Sequence, residues 1–275
     1  MSLLEEFKCM LLKKGKMPST IHTYLFELSK FSSWLEVNGG EIRMLTRFDV
    51  QNYLFSLEEK GMSANTLQKI YACLCTFAKF LQKPELVEEI RIPKILSPLH
   101  IAPKALNRQE KNKLLRVVER DGNLRNIAIT YTLLMTGIRV SELVALNKED
   151  IEIRDRSGSL IIRNGKGNIA RYVPLAAEVR YRLGKYLETR LDGLSPLFLS
   201  NFKQRISSRS VQYMLHKYEV HPHLLRHTFC RQLVMEGVDI ATVADLAGHL
   251  DLNITRRYAK PSEEELQEAI KRLST

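Results

Sequence analysis

Apolar residues recur at the three- and four-residue spacing of amphipathic helices through the first third of this 275-residue chain. In STIHTYLFELSKFSSWL the series is Ile21, Tyr24, Leu25, Leu28, Phe31 and Leu35, with Ser19 placed as its N-cap. TRFDVQNYLFSLEEKG repeats the pattern through Val50, Tyr53, Leu54 and Leu57 and stops near Gly61. SANTLQKIYACLCTFAKFLQK carries it through Leu67, Ile70, Tyr71, Leu74, Phe77, Ala78 and Leu81, behind a Ser63 cap. With the opening segment 2–14, the pattern predicts a four-helix bundle over residues 1–91.

The period then breaks. RIPKILSPLHIAPKALN holds three prolines and reads as an extended linker over residues 92–105. Beyond it, over 106–275, Asn107 and Glu110 make a capping-box start to a helix, and helical patterns run to about residue 146. Residues 151–174 change character. IEI, SLIIR and ARYVPL are short β-prone runs around turns at Ser157-Gly158 and Gly165-Lys166-Gly167. Helical spacing resumes at 175–190, 207–218, 223–236 and 239–248. The chain therefore reads as mainly α with a small β-hairpin or sheet, a helical domain followed by a mixed α/β domain.

Charge sharpens this picture. The net charge is +11, and residues 97–275 hold +9 of it against +2 for residues 1–96. Such a surplus suits a polyanionic partner, although it also fits a generically basic soluble domain. No apolar run reaches the roughly 18–20 residues of a membrane span, and the acidic N-terminus does not resemble a signal peptide. Cys9, Cys73, Cys75 and Cys230 lack metal-ligand or CxxC spacing. They are expected to be buried thiols in a reducing, cytoplasmic compartment.

Four constellations in the second domain could carry chemistry. In TGIRVSEL, Gly137 can end one helix and Arg139 open the next, where its charge opposes the helix dipole unless something holds it. NGKGNIARYVPL puts Lys166 between glycines at a hairpin tip. HPHLLRHTF crowds His221, His223, His227 and Arg226 together; His223 and His227 lie four apart, as in a zinc helix. Leu224 stands where such a motif needs its glutamate, and Arg226 would oppose a dication. LAGHLDLNITRRY places His249 after a helix-ending Gly248 and Tyr258 nine residues on. Each piece alone also fits a bland role: a loop arginine, a surface turn, a packed histidine, a core tyrosine.

In order and spacing, T-G-x-R-x-x-E-L, the G-K-G hairpin, H-x-L-R-H and G-H followed by Tyr resemble the tyrosine recombinases, also called phage integrases. The resemblance spans the whole chain, since the N-terminal bundle is similar to that family's core-binding (DNA-clamping) domain. Leu250 departs from the serine or small polar residue that many members carry after Gly-His. The resemblance implies a DNA phosphodiester as the anion and a 3′-phosphotyrosine intermediate. Arg139 and Arg226 would grip the scissile phosphate, where two guanidinium forks can be preorganised for a transition state that gains negative charge. His223 and His249 would complete the anion site, with His223 able to relay the nucleophile's proton. Lys166 would protonate the leaving 5′ oxygen. Tyr258 would attack, its phenol activated by the surrounding cations. Glu142 is expected to buttress Arg139 across a helical turn, His227 to pack or hydrogen-bond within its helix, and His221 to lie in a loop. Neither a metal nor another cofactor is implied.

The same resemblance implies a site-specific recombinase for DNA integration, excision or resolution on short inverted-repeat core sites of double-stranded DNA. The N-terminal helices begin almost at residue 1, as in a simple Xer-like or transposon-resolvase-like member without an arm-binding domain. A type IB topoisomerase-like nicking enzyme shares the chemistry without partner exchange, and a non-catalytic DNA-binding regulator would lack residues that are present here. In PSEEELQEAIKRLST, Ser262 and Glu265 form a capping box for a tail helix over 262–273 with an apolar stripe of Leu266, Ala269, Ile270 and Leu273. Docking of that stripe on its own domain competes with docking in trans on a neighbour in a tetramer on two sites. The family resemblance favours the exchange.

Overall fold

The computed structural model describes residues 2–93, 102–163, 170–249, 251–261 and 263–272, with the side chains of 263, 264, 268, 269 and 272 excepted. The chain divides into two compact units, Met1–Ser97 and Pro98–Thr275.

The first unit contains α1 (Leu3–Lys13), α2 (Pro18–Val37), α3 (Arg47–Glu59) and α4 (Ala64–Phe80). Their apolar stripes meet in one core that includes Phe7, Leu28, Phe31, Leu54, Leu74 and Phe77. Phe7 packs edge-on to Phe77 with ring centroids 5.2 Å apart. Thr46 and Asp49 close a capping box on α3, and Ser63 accepts the Thr66 N–H at the start of α4. Ser19 is not the cap of α2. Pro18, with its φ already set for a helix, takes the first helical turn, so the helix begins earlier and Met17 becomes the N-cap. A short 3-10 turn at Pro84–Val87 follows α4 and packs on it, burying Leu86.

The second unit opens with α5 (Arg108–Arg120), which Asn107 and Glu110 cap reciprocally. Next come α6 (Leu124–Thr136) and the short α7 (Val140–Ala145). From Asn126 to Leu134 every residue of α6 is buried, so this helix is the axis of the unit. Its buried threonines cost little, because Thr130, Thr132 and Thr136 each donate a hydroxyl to the carbonyl four residues back. β1 (Ile151–Ile153), β2 (Gly158–Ile162) and β3 (Arg171–Pro174) form an antiparallel sheet in the order β1-β2-β3. Leu160 of β2 pairs with Ile151 on one side and Val173 on the other. The hairpin tip with Lys166 lies outside the described residues.

The remaining helices are α8 (Ala177–Glu188), α9 (Ser208–His216), α10 (Pro222–Met235), α11 (Ile240–Ala247), α12 (Leu252–Arg256) and α13 (Glu263–Arg272). α6 packs against α5, α8 and α10. α12 had no counterpart in the sequence pattern, because five residues are too few to display a period. Of the four free thiols, Cys73 and Cys230 are buried as expected, whereas Cys75 is half-buried and Cys9 exposed. Among the described residues no helix is long and apolar enough to cross a membrane.

Candidate active site

Gly137 ends α6 in the left-handed conformation, φ +63°. A Cβ there would stand 2.2 Å from the Phe229 ring, so only glycine lets α6 meet α10 so closely. That contact brings the Gly137 carbonyl to Arg226, whose Nη1 donates to it at 2.6 Å. The chain then turns straight into Arg139, the N-cap of α7.

Arg139 is held from three directions. Its backbone N–H donates to Glu142 Oε2 at 2.7 Å, Nη1 to Glu142 Oε1 at 3.0 Å, and Nη2 to the Gly248 carbonyl at 2.7 Å. These contacts supply the restraint that offsets an arginine at a helix start. Glu142 is buried and also receives a two-pronged ion pair from Arg171 on β3, at 2.9 and 2.8 Å. Burial alone would raise its carboxyl pKa, but hydrogen bonds from Arg171 and Arg139 outweigh it and hold the pKa below the usual value. Gly248, φ +68°, closes α11 beside this group, and a Cβ there would fall 2.7 Å from the Arg171 guanidinium.

Arg226 stands on α10, which His221 starts. Its ring Nδ1 accepts the Leu224 N–H at 3.2 Å and Pro222 fills the first helical position, so His221 is a helix cap and not a loop residue. The Arg226 guanidinium is buried, and its Nη2 has no hydrogen-bond partner among the described residues. Burial first, and then the neighbouring Arg139, push its pKa down to about 10. A buried cation beside a second cation, with an N–H left over, is costly unless an anion completes it. His223, on the first turn of the same helix and open to solvent on one side, has its pKa lowered by partial desolvation and by His221, Arg226 and Arg139.

Tyr258 lies in a 3-10 turn, Arg257–Ala259, directly after α12. It is 1% exposed, in a small apolar cluster with Cys230, Val243 and Ala247. Its hydroxyl is 2.7 Å from Nδ1 of His227. With the imidazole proton on Nε2, Nδ1 accepts the phenol hydrogen. His227 therefore reaches across to the tyrosine segment and does not bond within its own helix, because its position on α10 faces that turn. His249 stacks on Tyr258, ring planes 10° apart and centroids 6.2 Å apart, while its Nδ1 meets the buried Thr255 Oγ1 at 2.8 Å. Cations near Tyr258 do act to lower its pKa, but burial is larger and the pKa is raised. Burial keeps the phenol protonated and sheathed.

The structure thus gathers Arg139, Glu142, His223, Arg226, His227, His249 and Tyr258 into one region; Lys166 and Leu250 lie outside the described residues. Arg171, Thr255 and Arg231 also belong here and carried no sequence signal. Arg171 is the one charged residue of the short run RYVP, where it reads as an ordinary surface arginine, and Thr255 is one polar residue among several.

Burial pushes both His227 and His249 down to about pKa 4, helped at His227 by His223 and the neighbouring arginines and at His249 by Arg226, Arg139 and His227. Their folded values lie below the unfolded value of 6.5, so the unfolded chain binds more protons between the two. Stability from these histidines is complete above about pH 6.5 and lost as pH falls towards 4. The free protein is expected to lose on the order of 2–4 kcal/mol across that window. His227→Gln should flatten part of the slope in melts taken between pH 7 and 4.5, and an unchanged slope would place His227 in water.

The phage integrase family matches residues 104–265, and the phage integrase N-terminal SAM-like domain matches residues 4–84. The chain belongs to the phage integrase family of tyrosine-type site-specific recombinases. It is 34% identical to the tyrosine recombinase XerA of Thermococcus kodakarensis over 97% of this chain and 93% of that one. It is 29% identical to the tyrosine recombinase XerC of Pediococcus pentosaceus over 99% and 97%. Its fold matches the Tn1549 transposon integrase in complex with transposon right end DNA, with a TM-score of 0.70 at 18% identity over the whole of both chains. Within this integrase-family chain, the SAM-like region falls in the helical unit and the site falls in the second.

Proposed function

We propose that the chain cuts and rejoins DNA at short core sites through a phosphotyrosine at Tyr258, as a simple two-domain cytoplasmic recombinase of the Xer or transposon type. The observation that carries this reading is the buried, incompletely satisfied Arg226 beside Arg139, in the same cluster as a tyrosine hydroxyl. One carboxylate, Glu142, is set among the guanidiniums of Arg139, Arg171 and Arg226, so the pocket keeps a positive charge for a phosphate. Bound there, the scissile phosphate would take Nη2 of Arg226 and the charge of Arg139, with His223 and His249 at its other oxygens. Tyr258 attacks the phosphorus, the 5′ oxygen leaves with a proton from Lys166, and the phenol proton passes to an imidazole. His227, already bonded to the hydroxyl, is placed to receive it at least as directly as His223.

Exchange between two sites requires several copies, and the tail supports a role for α13 between them. Leu266 and Ile270 of its stripe are 46% and 64% exposed. Glu265, by contrast, pairs with Arg231 of its own chain. Leu266 and Ile270 are therefore available to a neighbouring protomer in a tetramer on two DNA sites. Ser262 and Leu273 lie outside the described residues.

The test uses a nicked duplex core site whose cleaved strand releases a short fragment. The protein should accumulate a covalent adduct that carries the 3′-phosphoryl end, and should invert or excise the segment between two sites on a plasmid. Relaxation of the plasmid without rearrangement would instead identify a topoisomerase-like enzyme, and binding without adduct a regulator.

A further inference from the structure

Arg231 lies one turn beyond His227 on α10 and points at the tyrosine segment. It is 12% exposed as a side chain. Its Nη1 donates to the carbonyls of both Tyr258 and Lys260, and its Nη2 pairs with the Glu265 carboxylate on α13. Nothing in the chemistry described above uses this residue. Yet one rigid helix carries Arg226 and His223, which face the anion site, and also Arg231, which grips the backbone on either side of Ala259. The guanidinium fork is planar with several fixed donors, so a single side chain can span two carbonyls and a carboxylate.

We propose that Arg231 is a positioning residue that sets the nucleophile's backbone in register with the phosphate-binding face of α10. The proposal rests on Tyr258 being the nucleophile. With the carbonyls of Tyr258 and Lys260 pinned, the ring can turn about its own side-chain bonds from His227 towards the phosphate while the backbone keeps its distance from Arg226. Glu265 neutralises the half-buried guanidinium and orients its fork, which ties the first turn of α13 to the same geometry. Lysine at this position keeps the charge but cannot span both carbonyls and the carboxylate together.

The experiment compares single-turnover adduct formation on the nicked core site with DNA affinity and the thermal melt, for Arg231→Ala, Arg231→Lys and Tyr258→Phe in the full chain. Arg231→Ala should slow adduct formation about 10- to 100-fold at saturating DNA, the range that a small misplacement of a reacting group costs. Affinity should stay within about twofold of the parent, since no phosphate contact is lost. Arg231→Lys should recover part of the rate, with unchanged affinity and a melt close to that of the parent. If the alanine variant does not fold, the lysine variant decides: a parental rate, or a rate and affinity that fall together, overturns the proposal. Adduct in Tyr258→Phe would sink the nucleophile assignment itself. A silent Tyr258→Phe alongside full-speed Arg231 variants sinks only the role given to Arg231.

Discussion

Tyr258→Phe is expected to bind its core site within about twofold of the parent and to lose covalent adduct by more than a thousandfold, on the order of what removing a nucleophile costs. The substitution deletes one oxygen and no charge, so the electrostatic attraction to DNA is untouched. It also leaves His227 Nδ1 without its 2.7 Å partner. One lost hydrogen bond costs on the order of 1 kcal/mol, which should lower the melt only slightly because the phenyl ring still fills the pocket. The decisive measurement is a denaturing gel of labelled nicked site. Adduct that survives the substitution would mean that another of the ten tyrosines attacks. The buried, protonated phenol adds a second expectation. Adduct formation by the parent should require a conformational step that exposes Tyr258, so its single-turnover rate should level off with DNA concentration and not rise without limit.

Lys166→Ala is expected to slow cleavage of an ordinary phosphodiester by about 10²–10⁴-fold, the usual worth of a general acid. The same variant should cleave a strand with a 5′-thiolate leaving group at nearly the parental rate. An alkoxide leaves poorly without a proton, whereas a thiolate leaves readily as the anion, so the sulfur substitution replaces the missing acid. DNA affinity is the control, since Lys166 is also a cation. Equal slowing on both substrates would remove Lys166 from proton transfer and leave it a phosphate-binding charge. Rescue by sulfur with unchanged affinity isolates the acid role.

These two experiments divide between residues that the sequence advertises and a geometry that it hides. Helical spacing predicted the helices that the structure places at Leu3–Lys13, Pro18–Val37, Arg47–Glu59 and Ala64–Phe80, and residue type predicted the Asn107–Glu110 capping box and the β-prone stretch before Ala177, because each depends on contacts within a few residues. The roles expected of Arg139, Glu142, Lys166, His223, Arg226, His249 and Tyr258 came from the resemblance that their motifs carry, since each motif alone also fitted a structural role. Ser19 shows where local reading fails even at short range: Pro18 competes for the same helix start and wins, since its φ is preset.

Everything that depends on burial was decided by the tertiary fold. His227 looked like a within-helix residue until α12 and its 3-10 turn brought Tyr258 across to it. The cations around Tyr258 suggested an acidified phenol, yet packing beside Val243 and Ala247 desolvates the ring and raises its pKa instead. Arg171 is 29 positions from Glu142 and Arg231 is 34 from Glu265. No local pattern links either pair. Periodicity and capping record interactions with near neighbours in the chain, whereas a pKa, an ion pair between distant segments and the reach of a nucleophile depend on what the folded chain places around a group. The residue types of the site were therefore legible in the sequence, and their protonation, partners and exposure were set by packing.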